Sequence, residues 1–285
     1  MATTSHGHGD YYVPQPSRYP ILLSAAILFL ALGAVLRING FEAGDVSLAI
    51  GGALASYALF GWFGSVIGET RAGVYHEKEE RAFRRGMLWF ITSEVVFFAS
   101  LFGVLFYERE ISLPWLASLP SHYTPWPGFS ATWPSAGPAG KGFTPMTPWG
   151  IPALNTVILL TSGATITWAH WALRRGKPRL TSLGLFLTVA LGVLFLGLQA
   201  HEYHEAYTHL GLTLGSGVYG ATFFVLTGFH GFHVFLGATM LTVILIRSIK
   251  GHFDPKHHFA FEAVSWYWHF VDVVWLMLFV FVYWR

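Results

Sequence analysis

Apolar residues fall into seven long stretches separated by polar segments. Each stretch holds about 20 mostly apolar residues, the length that crosses the hydrocarbon core of a bilayer as an α-helix. The stretches cover residues 19–37, 46–67, 86–107, 152–173, 180–201, 218–246 and 262–284. The pattern therefore predicts an all-α polytopic membrane protein with seven transmembrane helices. We find no internal repeat and interpret residues 1–285 as a single domain.

The positive charges predict how the chain crosses the membrane. An odd number of spans places the two termini on opposite sides. If the N-terminus is cytoplasmic, thirteen of the 17 Lys and Arg residues fall in inside segments. Because Lys and Arg concentrate on the cytoplasmic side of membrane proteins, residues 1–18 are predicted to be a cytoplasmic tail and the C-terminus to lie outside.

Composition supports this and excludes several classes of protein. Hydrophobic residues make up 53% of the chain and charged residues 11%, against about 25% charged residues in soluble domains. A soluble enzyme is therefore excluded. A net charge of +2 without a basic stretch argues against a nucleic-acid partner. The chain has no cysteine, which rules out thiolate metal sites, iron–sulfur clusters and cysteine nucleophiles.

Two predicted connections carry unusual residues. The inside connection, residues 69–85, is strongly charged, and we prefer a solvated amphipathic turn to contact with anionic lipid or a partner subunit. The outer connection, residues 108–151, holds eight of the 14 prolines and four tryptophans. This density favours an ordered cap at the headgroup level over a flexible spacer. Residues 5–9, with two histidines, are expected to be a disordered tail rather than a metal site.

Ionisable residues within a span are costly and are therefore functional candidates. Glu94 lies in the third predicted helix and should face a polar region. It could be a structural carboxyl or one that exchanges protons, and we favour the structural role. His230 and His233 share a face of the sixth helix at a spacing that permits a metal. Because further ligands are not evident, structural or lipid-contacting histidines are the preferred interpretation.

The last predicted helix carries polar residues at intervals of three, four and three. Glu262, Ser265, His269 and Asp272 therefore lie on one face, which must turn away from lipid. His269 and Asp272 are spaced to form an imidazole–carboxylate pair. We expect the face to contact other helices, because intramembrane polar groups must be satisfied inside the protein.

The histidines do not form a recognisable cofactor site. The adjacent pair His257 and His258 lies in a loop beside Lys256, whereas two haems and a copper need inward histidines on several helices. His201 and His204 flank a metalloprotease-like segment, but they are three residues apart instead of four. We therefore predict no metal, no redox centre and no catalytic residue in this chain.

Several segments together resemble subunit III of the haem–copper cytochrome c oxidases. The longest is WYWHFVDVVW at residues 266–275, preceded by HHFAFEA at 257–263. Further matches are PSRYP at 16–20, ITSEVVFF at 91–98, LNT at 154–156, ITWAH at 166–170, QAHEY at 199–203 and GVYGATFF at 217–224 continuing through His233. Motifs this long, in this order and over nearly the whole chain, are highly specific.

The resemblance implies a seven-helix, aa3-type subunit without a metal. Its helices would form two bundles, residues 19–67 for helices 1 and 2 and residues 86–284 for helices 3–7, around a V-shaped cleft filled by phospholipid. It implies packing against subunit I, with subunit II in the same complex and cytochrome c as electron donor. Haem a, haem a3, CuA and CuB are expected in the partner subunits. The implied roles are to stabilise subunit I, to bind phospholipid, to support proton uptake and to channel dioxygen.

By motif position, the resemblance also implies a set of lipid-contacting residues. These are Glu69, His76, Gly86, Glu94, His233 and Arg247. The family commonly has a tryptophan pair and a basic residue before the acid at the end of the second helix, whereas this sequence reads WFGSVIGE at 62–69. Arg71, two residues beyond Glu69, could supply the missing headgroup contact.

Two alternatives stay open at the level of sequence. Subunit III of a quinol oxidase typically lacks the first two helices, which are present here. A stand-alone transporter should show broken helices or repeated halves around a midplane site, and neither is visible. The charge pattern favours a bacterial cell membrane with a cytoplasmic N-terminus over the mitochondrial inner membrane.

Overall fold

The computed structural model describes residues 12, 16–119, 126, 129–138, 140 and 142–284. Within these residues it is helical, and seven helices are long and apolar enough to cross a membrane. This confirms the predicted all-α, seven-span fold. The bounds are Tyr19–Ile38 (α1), Ala43–Arg71 (α2), Glu77–Tyr107 (α3), Leu113–Ser118 (α4), Ile151–Arg174 (α5), Pro178–Thr208 (α6), Val218–Ile249 (α7) and Phe259–Leu278 (α8).

Two segments are π-helical: Glu108–Ser112 joins α3 to α4, and Phe279–Tyr283 extends α8.

The chain divides into two compact units, Met1–Phe83 and Arg84–Arg285. The histidine-containing stretch at residues 5–9 lies outside the described residues, as do Lys141 and Arg285, which entered the charge pattern.

The third helix is much longer than the apolar pattern predicts. It begins at Glu77 instead of residue 86, so most of the predicted inside turn is helical. Glu77, Glu79 and Glu80 in the first turn favour a helix start because carboxylates complement the positive N-terminal end of the helix dipole. The Glu79 carboxylate also accepts the backbone N–H of His76 at 2.9 Å, which caps the helix. Hydropathy does not predict residues 77–85 as helical because they are charged and precede the apolar part of the helix.

In the first unit, glycines bring α1 and α2 into backbone contact. A Cβ at Gly44 would lie 2.6 Å from the Arg37 nitrogen, and one at Gly51 would lie 2.8 Å from the Leu30 nitrogen. Side chains larger than hydrogen cannot fit there without moving the helices apart. The Ser47 hydroxyl adds an interhelical hydrogen bond to the Phe29 carbonyl at 2.8 Å. Small residues thus set the packing of this helix pair.

In the second unit, α5–α8 pack around aromatic side chains. Trp268 of α8 is fully buried, and a Cβ at Gly192 of α6 or Gly237 of α7 would lie 2.8 or 2.7 Å from its ring. Its Nε1–H donates to the Ser162 hydroxyl of α5 at 2.9 Å. One indole therefore contacts three neighbouring helices, and the two glycines provide the space for it.

The described part of the outer connection packs on the second unit. Phe143 stacks on Tyr219 of α7 with ring centroids 5.2 Å apart, and Trp133 meets the same ring edge-on at 5.5 Å. Backbone hydrogen bonds run from Tyr219 N–H to the Ser135 carbonyl and from Thr144 N–H to the Leu210 carbonyl. The described residues of this connection thus pack over the start of α7, and the predicted cap at the headgroup level stays a prediction.

Candidate functional site

Glu94 of α3 and His233 of α7 form an ion-pair or hydrogen-bond contact within the second unit. The His233 Nε2 lies 3.0 Å from the Glu94 Oε2, and the His233 side chain is 8% exposed. Neither sequence periodicity nor spacing links two residues 139 positions apart. Helix packing alone joins these two predicted site residues.

The hydrogen bond of the second ring nitrogen of His233 limits the protonation states that the Glu94–His233 pair can adopt. Its Nδ1 lies 2.6 Å from the Phe229 carbonyl oxygen, which can only accept a hydrogen bond. Nδ1 therefore carries a proton. If the ring is neutral, Nε2 is an acceptor and Glu94 must hold the shared proton; if the ring is charged, Glu94 is a carboxylate. Either form leaves the pair without net charge, which suits membrane depth.

Aromatic rings pack around His233. Tyr267 stacks on His233 at 6.3 Å between centroids, and Phe98 meets it edge-on at 5.0 Å. The Tyr267 hydroxyl donates to the His233 carbonyl oxygen at 3.4 Å. This packing holds the imidazole in one orientation, so the pair is a fixed contact between α3, α7 and α8.

The polar face of α8 contacts α5. His269 lies with its Nε2 3.2 Å from the Thr167 hydroxyl and its Nδ1 3.5 Å from the Asp272 Oδ2. Asp272 and Ser265 are buried, and a Cβ at Gly163 would lie 2.4 Å from the Asp272 Oδ2. A glycine on α5 thus leaves room for the Asp272 carboxylate, and the buried part of the face packs against α5, whereas the His269 side chain is 44% exposed.

At the start of α8, Glu262 joins a cluster of basic side chains. Its Oε2 accepts a hydrogen bond from the Arg84 Nε at 3.0 Å, and its Oε1 lies 3.6 Å from the His258 Nε2. The His258 Nε2 lies 3.2 Å from the His170 Nε2 at the end of α5. No sequence pattern links these side chains, although His170 and His258 both lie in segments that resemble the family.

His230 has a different role from His233. It lies fully buried between the rings of Phe195 and Trp275, at centroid distances of 5.8 and 5.2 Å, and neither ring nitrogen has a hydrogen-bond partner among the described residues. The two histidines therefore do not converge on one ligand.

Glu202 of α6 is a buried acid that no sequence pattern singled out. Its carboxylate accepts a hydrogen bond from the Tyr283 hydroxyl at 2.7 Å.

Three predicted lipid residues belong to the first unit. Glu69, at the end of α2, accepts a short hydrogen bond from the Tyr75 hydroxyl. Burial and the neighbouring Glu69 raise the pKa of Tyr75 well above its usual value, so the phenol stays protonated as the donor. Arg71 and His76 are exposed, and the buried Glu79 accepts the backbone N–H of Tyr12 at 3.1 Å.

The remaining predicted residues are Gly86, within α3, and Arg247, near the end of α7, and both belong to the second unit. Gly86 is exposed, and its neighbour Arg85 lines a shallow groove of about 270 Å³ with Leu88, Trp89 and Thr92. Arg247 is buried, with its guanidinium 4.7 Å from the centroid of the Phe253 ring. The V-shaped lipid cleft expected from the resemblance stays a prediction.

Fold and site together define an integral helical membrane protein whose buried polar side chains pair across helices. The family model for cytochrome c oxidase subunit III matches residues 8–285. Cytochrome c oxidase subunit 3 of Marchantia polymorpha is 41% identical over 275 residues, covering 96% of each chain. The corresponding protein of Formosania lacustris is 41% identical over 285 residues, covering all of this chain and 99% of the relative.

The chain belongs to the cytochrome c oxidase subunit III family. This confirms the resemblance inferred from the motifs. The family is a non-catalytic subunit of the haem–copper oxidases and has no redox centre, so the chain acts within an oxidoreductase complex together with other oxidase subunits. The alternatives of a stand-alone transporter and a quinol oxidase subunit are not supported.

Proposed function

We propose that this chain stabilises the catalytic subunit I of its oxidase and holds structural phospholipid against it. Haem a, haem a3, CuA and CuB would lie in the partner subunits I and II, with cytochrome c as electron donor. The family match over residues 8–285 is the observation that carries the proposal. The exposed apolar surface of α1–α3 supports it, since only 11% of the most apolar stretch of each helix is buried within this chain.

A lipid role is supported by a basic residue of α3 that lies beside exposed apolar side chains. The groove below Arg85 combines a guanidinium with the apolar side chains of Leu88 and Trp89. Such a pairing suits a phospholipid, because a phosphate binds the cation while an acyl chain covers the apolar residues. The predicted lipid residues Gly86, next to Arg85 in α3, and Arg247, near the end of α7, lie in the same unit.

The proposed orientation places the N-terminus in the cytoplasm of a bacterial cell. Support comes from the concentration of Lys and Arg at 69–85 and at the α5–α6 connection, both on the same side in a seven-span chain. In this orientation Arg84, Arg85 and Arg247 meet the inner leaflet, and the Pro- and Trp-rich connection lies outside. Proton uptake at the inner surface would then take place on the side of the charged start of α3.

Purification of the tagged chain from membranes in mild detergent tests the proposed assembly. The chain should co-purify with haem a absorbance and cytochrome c oxidase activity in one native-gel band. Recovery without haem, while untagged oxidase stays active in the same extract, would contradict the proposed partners.

Bound phosphorus per haem a tests the lipid role in the intact complex. Arg85→Gln removes the proposed phosphate contact and should reduce bound phospholipid by about one molecule per complex and shorten the working life during turnover. Arg109→Gln is the matched control, because Arg109 pairs with Glu110 at the opposite end of the helix. Equal lipid content in both variants would refute lipid binding at Arg85.

A further inference from the structure

His170, His258 and Glu262 bring three potential metal ligands together at one end of the second unit. One ligand atom from each side chain lies within 4.8 Å of the other two, and they form the one such group of three found among the described residues. His170 comes from the end of α5, His258 directly precedes α8, and Glu262 lies in the first turn of α8. The site therefore joins two histidines that are 88 positions apart in sequence.

Two of the distances between the ligand atoms match those expected around a tetrahedral metal. Two imidazole nitrogens at about 2.0–2.1 Å from a zinc ion, in tetrahedral geometry, lie about 3.3 Å from each other. The Nε2 atoms of His170 and His258 are 3.2 Å apart. A carboxylate oxygen at about 2.0–2.2 Å should lie about 3.4 Å from such a nitrogen, and the Glu262 Oε1 is 3.6 Å from the His258 Nε2.

The carboxylate is already oriented for this role. Arg84 donates to the Glu262 Oε2 at 3.0 Å, which leaves Oε1 directed toward the two histidines. A side chain that orients a metal ligand from behind is typical of functional metal sites. The positive charge of Arg84 also opposes a second cation, so the site should bind its ion reversibly.

We propose that His170, His258 and Glu262 bind one redox-inert divalent cation of the zinc class, with water in the fourth position. Two neutral imidazoles and one carboxylate, with an open position, suit zinc better than magnesium or calcium, which prefer all-oxygen ligands. The bound ion would connect the end of α5 to the start of α8.

Equilibrium binding of radioactive Zn²⁺ to the purified oxidase complex tests the proposal. The double variant His170→Gln, His258→Gln should bind one ion fewer per complex than the unmodified protein. His257→Gln, which changes the adjacent histidine, is the matched control and should retain the full number. Unchanged zinc binding by the double variant, or equal loss in the control, would show that the three residues form only a hydrogen-bonded cluster.

Glu262→Gln keeps the test valid if the double variant does not assemble. Glutamine preserves the volume and can still accept a hydrogen bond from Arg84, so the complex should retain its haem a content. Loss of a direct ligand should weaken zinc binding at this site about tenfold or more, since even indirect supporting contacts contribute 10–100-fold. An unchanged dissociation constant with full haem content would overturn the assignment.

Discussion

The helix pair α1–α2 and the group α5–α8 are held together in different ways. In α1 and α2, 11% of the most apolar stretch is buried within the chain, against 56% in α8. The pair depends on backbone approach at Gly33, Gly44 and Gly51. The larger group depends on buried indole rings and interhelical polar contacts. Since lipid is as apolar as these side chains, close packing and hydrogen bonds decide helix association in both.

The two helix groups also differ in which surfaces and contacts they offer for function. A glycine-packed pair leaves most of its side chains, such as Ile21 and Val35, on the outside, where they are 73% and 58% exposed. These can contact lipid or partner subunits. The α5–α8 group surrounds its polar residues with protein and therefore provides fixed contacts such as that of Trp268 with Ser162.

The largest effect is expected from Trp268→Ala, which removes the ring shared by α5, α6 and α7. Loss of a buried tryptophan costs about 3–5 kcal/mol in protein cores, so the α5–α8 group should loosen and the chain should be lost from the complex. The measurement is the amount of this chain per haem a after purification. Trp171→Ala, at a position 56% exposed, is the control and should retain the chain.

Gly51→Leu should separate α1 from α2 and leave α5–α8 intact. Its new Cβ would lie 2.8 Å from the Leu30 nitrogen, and overpacking of this kind costs about 1–3 kcal/mol. Backbone amides of α1 and α2 should exchange hydrogen faster, measured by mass spectrometry of the complex. Gly52→Leu is the matched control, because a Cβ there meets no atom within 4 Å. Equal exchange in both variants would refute packing through glycine.

Glu94 should stabilise the contact with His233 without being required for proton pumping. Glu94→Gln keeps a group that can donate to the His233 Nε2, so oxygen consumption and pumping should remain nearly complete. Glu94→Ala leaves that nitrogen unpartnered at a cost of about 1–3 kcal/mol and should shorten the working life during turnover. Loss of pumping in the Gln variant, with normal haem content, would instead place Glu94 on an obligatory proton path.

The smallest effect is expected from Ser47→Ala in the α1–α2 pair. It removes the hydrogen bond to the Phe29 carbonyl, and interhelical hydrogen bonds of this kind contribute about 0.6 kcal/mol in membranes. Amide exchange in α1 and α2 should change much less than in Gly51→Leu. A comparable change in the two variants would mean that hydrogen bonding, and not backbone approach, holds the pair.

The sequence by itself determined the class, the number of spans and the family. Lipid imposes a minimum apolar length on each crossing helix, so hydropathy reports the spans directly. The long sequence motifs identify the family. The α8 face with Glu262, Ser265, His269 and Asp272 could also be predicted, since helical periodicity places these residues together. The start of α3 was misplaced because its charged turns satisfy capping rules that hydropathy does not detect.

Only the tertiary structure decided which polar residues meet. Glu94 pairs with His233 and Glu262 approaches His170 through contacts between helices far apart in sequence. His230 and His233 occupy one helix three residues apart, yet one lies among aromatic rings and the other contacts a carboxyl. A rotation of α7 by a fraction of a turn would exchange such contacts. The rotation of α7 is set by packing against α8, where Gly237 leaves the space that the Trp268 ring occupies. The pattern of residues along one helix does not contain this information.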